Sequence, residues 1–161
     1  MGEASNFDSL VDELDYPMLI VTAAINGEKS GCLVGFHTQA SINPPRFLVC
    51  ISDRNHTFSL AERSDVLAVH FLDQSDLALA RLFGEHTGDM TDKFSRCSWS
   101  ERLGLPVLAG IQTWFIGRIA QRLSFGDHIG YLLEPLEAHL DGELHQLAFQ
   151  QVKAMEPGHP A

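Results

Sequence analysis

Apolar and β-branched side chains dominate residues 16–25, a length that suits a strand buried on both faces. Asn26-Gly27 follows, and both residue types tolerate positive φ, so a hairpin is predicted with a return strand over residues 29–36. Ahead of them, residues 6–14 read as a short helix capped by Asn6, with Asp8 and Glu13 on its wet side. Pro44-Pro45 blocks helix and marks a turn, and residues 46–51 form a third strand. Residues 55–63 place Phe58 and Ala61 on one face and read as a short helix; residues 66–72 return to strand. Asp73 or Ser75 caps a helix running through Phe83, with Leu79, Leu82 and Phe83 on one face. Residues 84–104 are mostly polar, hold Gly88 and Gly104, and read as loop with helical turns around Phe94 and Trp99. A β-rich stretch over residues 112–125 contains Gly117, the mark of a bulge or bend. Gly126-Asp127 is a further turn, residues 128–133 continue as strand, and residues 142–154 read as a terminal helix.

Six or seven strands joined mostly by short turns, with two or three helices, predict a mainly β fold: a small barrel carrying its helices on the outside. A chain of 161 residues is of single-domain length. Residues 1–5 and 155–161 are expected to be mobile ends.

Charge narrows the partners. The chain carries 11 Lys and Arg against 21 Asp and Glu, a net charge of −10. That sign argues against nucleic acid and against anionic membrane surfaces, while leaving room for a locally positive pocket. No apolar run reaches the roughly 18–20 residues of a membrane span. The acidic first residues lack the apolar core of an export signal, so a cytoplasmic location is expected. Cys32, Cys50 and Cys97 are odd in number and form no CxxC pair, which points to free thiols rather than disulfides or a zinc knuckle.

Among motifs that carry chemistry, GxGxxG, GxxxxGK[ST], HExxH and GxSxG are all missing. Eight histidines are scattered with none paired at i, i+4, and no metal is expected. Three segments stand out instead. The first runs Gly31-Cys32-Leu33-Val34-Gly35-Phe36-His37-Thr38-Gln39-Ala40-Ser41-Ile42-Asn43-Pro44-Pro45. The second is Arg54-Asn55-His56-Thr57-Phe58, and the third is Phe125-Gly126-Asp127-His128.

In this order, with strands between them, these segments resemble the flavin reductase-like family, whose fold is the FMN-binding split barrel. The matching positions are Val21-Thr22, Gly31, Ser41-Ile42-Asn43-Pro44-Pro45, Val69-His70-Phe71-Leu72, Phe83-Gly84 and Gly126-Asp127-His128, spread over residues 15–136. The resemblance implies an NAD(P)H:flavin reductase that moves hydride from nicotinamide to FMN, with FAD as the alternative flavin. It also implies a homodimer and, as recipient of reduced flavin, a separate monooxygenase. Where the family often has Met-Thr-Ala-Asn or Met-Thr-Ala-Ser, this chain has Cys32-Leu33-Val34-Gly35, so backbone groups must hold the ring there. From His139 onward the family's aromatic-Gly-aromatic closing strand is missing and the chain looks helical.

An isoalloxazine needs a flat apolar slot with amide N–H donors aimed at its carbonyls and N5. Cys32, Leu33, Val34, Gly35, Phe36, Ala40 and Ser41 are the residues assigned to that slot, Gly35 permitting close backbone approach. The flavin phosphate needs cationic or hydroxyl donors. That role is carried to His56 and Thr57, with Arg54 and Asn55 as helpers. Phe83, Gly84 and Lys93 match a segment lying along the flavin, and His128 matches a histidine near the nicotinamide. The rival reading of each segment is structural: buried strand, helix cap, core Phe, tight turn. Two other functions stay open at this level. One is an FMN-binding flavoprotein with a non-nicotinamide redox partner. The other is a non-enzymatic module for haem or another planar ligand, with His37, His56, His70 or His128 as axial ligand.

Overall fold

The computed structural model describes residues 3–85 and 92–155. Helix α1 (Glu3–Asp12) precedes the hairpin β1 (Leu19–Ile25) and β2 (Glu28–Val34), followed by β3 (His37–Ser41) and β4 (Arg46–Ser52). Then come α2 (His56–Ala61), β5 (Val66–Phe71) and α3 (Leu77–Glu85). A second hairpin, β6 (Trp99–Arg102) and β7 (Leu105–Leu108), leads to the long pair β8 (Thr113–Ser124) and β9 (His128–Leu140), and α4 (Phe149–Val152) ends the order.

Seven strands form one antiparallel sheet in the order β2-β1-β5-β8-β9-β4-β3. Its two edges, β2 and β3, are consecutive in the chain and separated only by Gly35 and Phe36. From Val34 to His37 the chain can reach only about 10 Å. The sheet must therefore curl until its edges lie side by side, which makes a barrel. The Cys50 N–H donates to the Phe36 carbonyl at 2.9 Å close to this seam. Beyond it the edges part, and the barrel is open along one side.

β1 runs through the middle of the hydrophobic core, which is why its sequence is apolar without alternation. Leu19, Val21 and Ala23 face the barrel interior with Val49, Ile51, Leu67, Val69, Tyr131 and Leu133, and α2 adds Leu60 and Ala61. Met18 and Ile20 face outward and pack against Ala80 and Phe83 of α3, together with Leu147 and Val152. Full burial of each Val, Leu, Ile, Met or Phe side chain among these stabilises by about 1.5–3 kcal/mol. A third cluster of Ala68, Leu105, Val107 and Ile116 lies under the β6–β7 hairpin, where the Thr22 hydroxyl donates to the Pro106 carbonyl at 2.7 Å. Gly31 lets β2 approach α3: a Cβ there would stand 2.7 Å from Phe83 Cε1.

The mainly β fold with outer helices agrees with the sequence reading, as do the Asn26-Gly27 turn and the Asp73 cap. Asp73 accepts from Ser75 N–H at 3.0 Å. Gly117 sits at a register shift of the β8–β9 ladder, opposite Pro135, so the proline falls at the bulge where it costs no ladder bond.

Four expectations are corrected. The return strand ends at Val34, and the supposed polar turn after it is the edge strand β3, polar because it is mostly exposed. The stretch predicted as loop holds a 3₁₀ turn (Lys93–Ser95) and the β6–β7 hairpin; residues 86–91 of it lie outside the described residues. β9 runs to Leu140, beyond the expected end at Leu133. The terminal helix shrinks to α4, because Gln146 and Ala148 bridge to Asp73 and Pro17 in extended form. Of the ends expected to be mobile, residues 1–2 and 156–161 lie outside the described residues, residues 3–5 begin α1, and Met155 packs against the α3 cluster.

Candidate functional site

A mostly apolar cleft of about 860 Å³ opens where the barrel splits, between α1, the β2–β3 corner and the end of β4. Six consecutive residues, Cys32 to His37, line it, with Cys50, Ile51, Ser52, Asn55 and His128 on the same side. Phe7, Val11, Leu14, Tyr16, Met18 and Phe149 add apolar lining and Asp8 and Asp12 two carboxylates, Tyr16 and Phe149 stacking at 4.8 Å between ring centroids.

Local folding explains each position. Gly35 brings the corner close to the core, since a Cβ there would stand 2.6 Å from Tyr16 Cε2. His37 begins β3 and its Nε2–H donates to the Pro17 carbonyl at 2.6 Å, while its ring stacks on Phe47. Burial holds its pKa below the usual histidine value, against the pull of that hydrogen bond. Asn55 ends the loop after β4 and caps α2 by accepting from Thr57 N–H at 2.9 Å. His128 begins β9 with its ring 4.8 Å from Phe36. Its Nδ1–H donates to Asp127 Oδ1 at 2.8 Å, which leaves Nε2 as the ring's second nitrogen. The same bond holds the Asp127 carboxyl below the ordinary range.

The two cysteines in the lining are not activated. Burial raises the Cys32 thiol to about 11 despite the nearby Lys93, and burial raises Cys50 as well. Nucleophilic thiolate chemistry is therefore not what this cleft is built for.

Of the residues singled out in the sequence, the cleft gathers Cys32, Leu33, Val34, Gly35, Phe36, Asn55 and His128. The others lie elsewhere. Ala40 and Ser41 lie further along β3. Arg54 and His56 flank Asn55 outside the lining, and His56 Nε2 stands 3.3 Å from Glu28 Oε1. Thr57 is fully buried with its hydroxyl 2.8 Å from that of Ser30. Phe83 and Gly84 lie behind β2 in the α3 cluster, where a Cβ on Gly84 would meet Leu33 Cδ2 at 2.7 Å. Lys93 is buried there too, and its Nζ donates to the Gly31 and Phe83 carbonyls at 3.0 Å each. Burial lowers its pKa, opposed by Cys32. His70 has both ring nitrogens engaged, to the Ile20 carbonyl and the Leu108 N–H, so it has no nitrogen left for an axial ligand role.

Sequence reasoning missed the α1 wall, Tyr16, Phe149 and the end of β4. Phe7, Val11 and Leu14 at i, i+4 and i+7 were a visible signal, since they make one helical face. Phe149 had no local signal, because it arrives from the far end of the chain.

The lining fits a planar, largely apolar ring with polar edges. β2 is an edge strand, so part of its backbone hydrogen-bonding capacity has no strand partner and is open to a ligand. Ser52 and Asn55 add polar atoms at one end. Among the described residues no buried polar side-chain atom is left without a partner. Backbone at the β2 edge and the shape of the slot can meet a flavin ring, alongside the side chains of Ser52 and Asn55.

No helix among the described residues is long and apolar enough to cross a membrane. The reductase component of 4-hydroxyphenylacetate 3-monooxygenase from Klebsiella oxytoca is 29% identical over 129 residues, covering 79% of this chain and 72% of that protein. The FMN reductase (NADH) RutF from Bradyrhizobium diazoefficiens is 31% identical over 110 residues, covering 68% of this chain and 61% of that protein. The crystal structure of a flavin reductase domain protein from Arthrobacter sp. FB24 superposes with a TM-score of 0.84 at 21% identity, covering 98% of this chain and 96% of that one. The family model of the flavin reductase like domain matches residues 11–156. This chain belongs to the flavin reductase like family, and its open barrel is the split barrel of that fold.

Proposed function

We propose that this protein is an NAD(P)H-dependent flavin reductase that works on FMN or FAD and supplies reduced flavin to a separate monooxygenase. The observation that carries the reading is the cleft at the split of the barrel, which is apolar, edged by strand backbone and without an activated nucleophile. The names of the Klebsiella and Bradyrhizobium relatives support both halves of it, the reduction of flavin and the service to an oxygenase.

When bound, the flavin supplies the hydride-accepting chemistry. The protein's part is to align two rings at about 3–3.5 Å and exclude water. Leu33, Val34 and Phe36 form the dry wall, and the β2 edge presents backbone groups to the ring's polar rim. His128, held by Asp127 at Nδ1, presents Nε2 or its ring face toward the nicotinamide. Asn55 meets the phosphate end, helped by Arg54 and His56 beside it. Thr57, Phe83, Gly84 and Lys93 act from behind, fixing α2 and β2, and Ala40 and Ser41 extend the corner along β3. The working unit is a homodimer. All three cysteines are free, in keeping with a reducing cytoplasm where NAD(P)H is held reduced.

The test uses the full chain with FMN. Quenching of flavin fluorescence on binding is expected, with FMN-dependent oxidation of NADH or NADPH. In the same buffer the protein should sediment at twice 17.8 kDa. Absence of flavin binding and of FMN-dependent NAD(P)H oxidation sinks the reading; a monomer removes only the dimer.

A further inference from the structure

The family match spans residues 11–156, so most of α1 precedes the matched segment. Yet Phe7 and Val11 of α1 line the cleft, as does Leu14 just beyond it. Phe7 and Val11 share one helical face, and the cleft's other wall is the β2 corner with Leu33 and Val34.

α1 is fastened at its base. Lys153 Nζ donates to the Asp12 carbonyl at 2.8 Å and pairs with its carboxylate at 2.9 Å. Gln150 Nε2 donates to the carbonyls of Asp12 and Leu14 at 3.0 and 2.8 Å. The rest of the helix reaches out along the cleft with its apolar groups poorly covered: Phe7 is 62% exposed and Leu10 56%. A ten-residue helix is marginal in water without a packed face. Leu10 stands outside the lining, so it marks the side of α1 turned away from the cleft.

We propose that α1 is a second wall of the flavin slot, in which Phe7 and Val11 pack on the ring of the bound flavin. The inference rests on the flavin reductase reading. The chemistry of the face selects the ring rather than the phosphate. Its polar neighbours in the lining are Asp8 and Asp12; Asp12 is paired with Lys153, and the Asp8 carboxylate repels a phosphate but tolerates the neutral ring of oxidised flavin. The phosphate end therefore turns toward Asn55, away from α1.

The experiment measures equilibrium dissociation constants of FMN and riboflavin by flavin fluorescence, for the full chain and for Phe7→Ala/Val11→Ala and Leu10→Ala. Loss of two apolar ring contacts should raise both constants alike, by about tenfold, with Leu10→Ala within about twofold of wild type. Unchanged constants in the double variant overturn the proposal. So does an unchanged FMN constant with a raised KM for NADH, which would hand the wall to the nicotinamide. Equal losses in Leu10→Ala also overturn it, because α1 would then act through general packing or the dimer. Phe7→Trp guards against misfolding of the double variant: FMN should quench its emission beyond the quenching of Trp99 and Trp114 in wild type, and no added quenching overturns the proposal. Failure of wild type itself to bind either flavin defeats the reductase reading, and the α1 wall with it.

Discussion

His70 shows how little of a residue's role need be local. It is fully buried, with Nδ1–H donating to the Ile20 carbonyl and Nε2 accepting from Leu108 N–H, each at 3.0 Å. One neutral tautomer thus ties β5 to β1 and to the β6–β7 hairpin. A second proton would take the acceptor from Leu108 and bury a charge, and burial accordingly holds the pKa down at about 4. Because the folded value lies below the unfolded value of about 6.5, the stabilisation is complete above pH 6.5. It is lost as pH falls from there toward 4, by about 3 kcal/mol in all. Urea titrations at pH 7.5 and 4.5 should show wild type losing most of that amount beyond what His70→Gln loses; parallel losses in the two proteins would remove His70 as the cause. The sequence singled out His70 as a motif member and a candidate ligand, but not its partners, which lie 50 and 38 residues away. Lys93 was opaque for a related reason. The family resemblance placed it along the flavin, whereas two main-chain carbonyls take it inside the core.

Elements were legible where a pattern was local. β1 was plain from an apolar run, α2 from Asn55 ahead of an apolar face, and the β8 bulge from Gly117. β6 and β7 were hidden because one is wholly exposed and the other wholly buried, so neither alternates. Their turn is Leu103-Gly104, with φ of 50° and 79°, where an asparagine in place of leucine would have announced it. β3 was hidden by its polar edge. α2 carries a prediction of its own, because Asn55 both caps the helix and lines the cleft. Asn55→Ala removes the cap and should cost about 1 kcal/mol. Asn55→Asp keeps the acceptor for Thr57 N–H but sets an anion at the cleft. Its melting temperature should hold while FMN affinity falls about tenfold and riboflavin affinity less than about threefold. Thermal melts and the two dissociation constants decide it; equal losses for both ligands would move the phosphate away from this corner.

At the scale of the whole molecule the barrel was inferable from strand number and short turns, but the cleft only in part, through Cys32 to Phe36, Asn55 and His128, because α1, the end of β4 and Phe149 complete it. Net charge, by contrast, was readable at once and has a kinetic consequence. The protein carries −10, and FMN and reduced nicotinamide dinucleotide are anions too. Long-range repulsion should therefore slow their encounter. Salt screens that field, the Debye length shrinking from about 30 Å at 0.01 M to about 10 Å at 0.1 M. Stopped-flow mixing across that range should show FMN association speeding by about twofold or more, while uncharged riboflavin keeps its rate. A protein that attracts anions through a basic patch would show the reverse. FMN association that slows with salt would mean that Arg54 and its neighbours focus enough local positive potential at the cleft to outweigh the acidic whole.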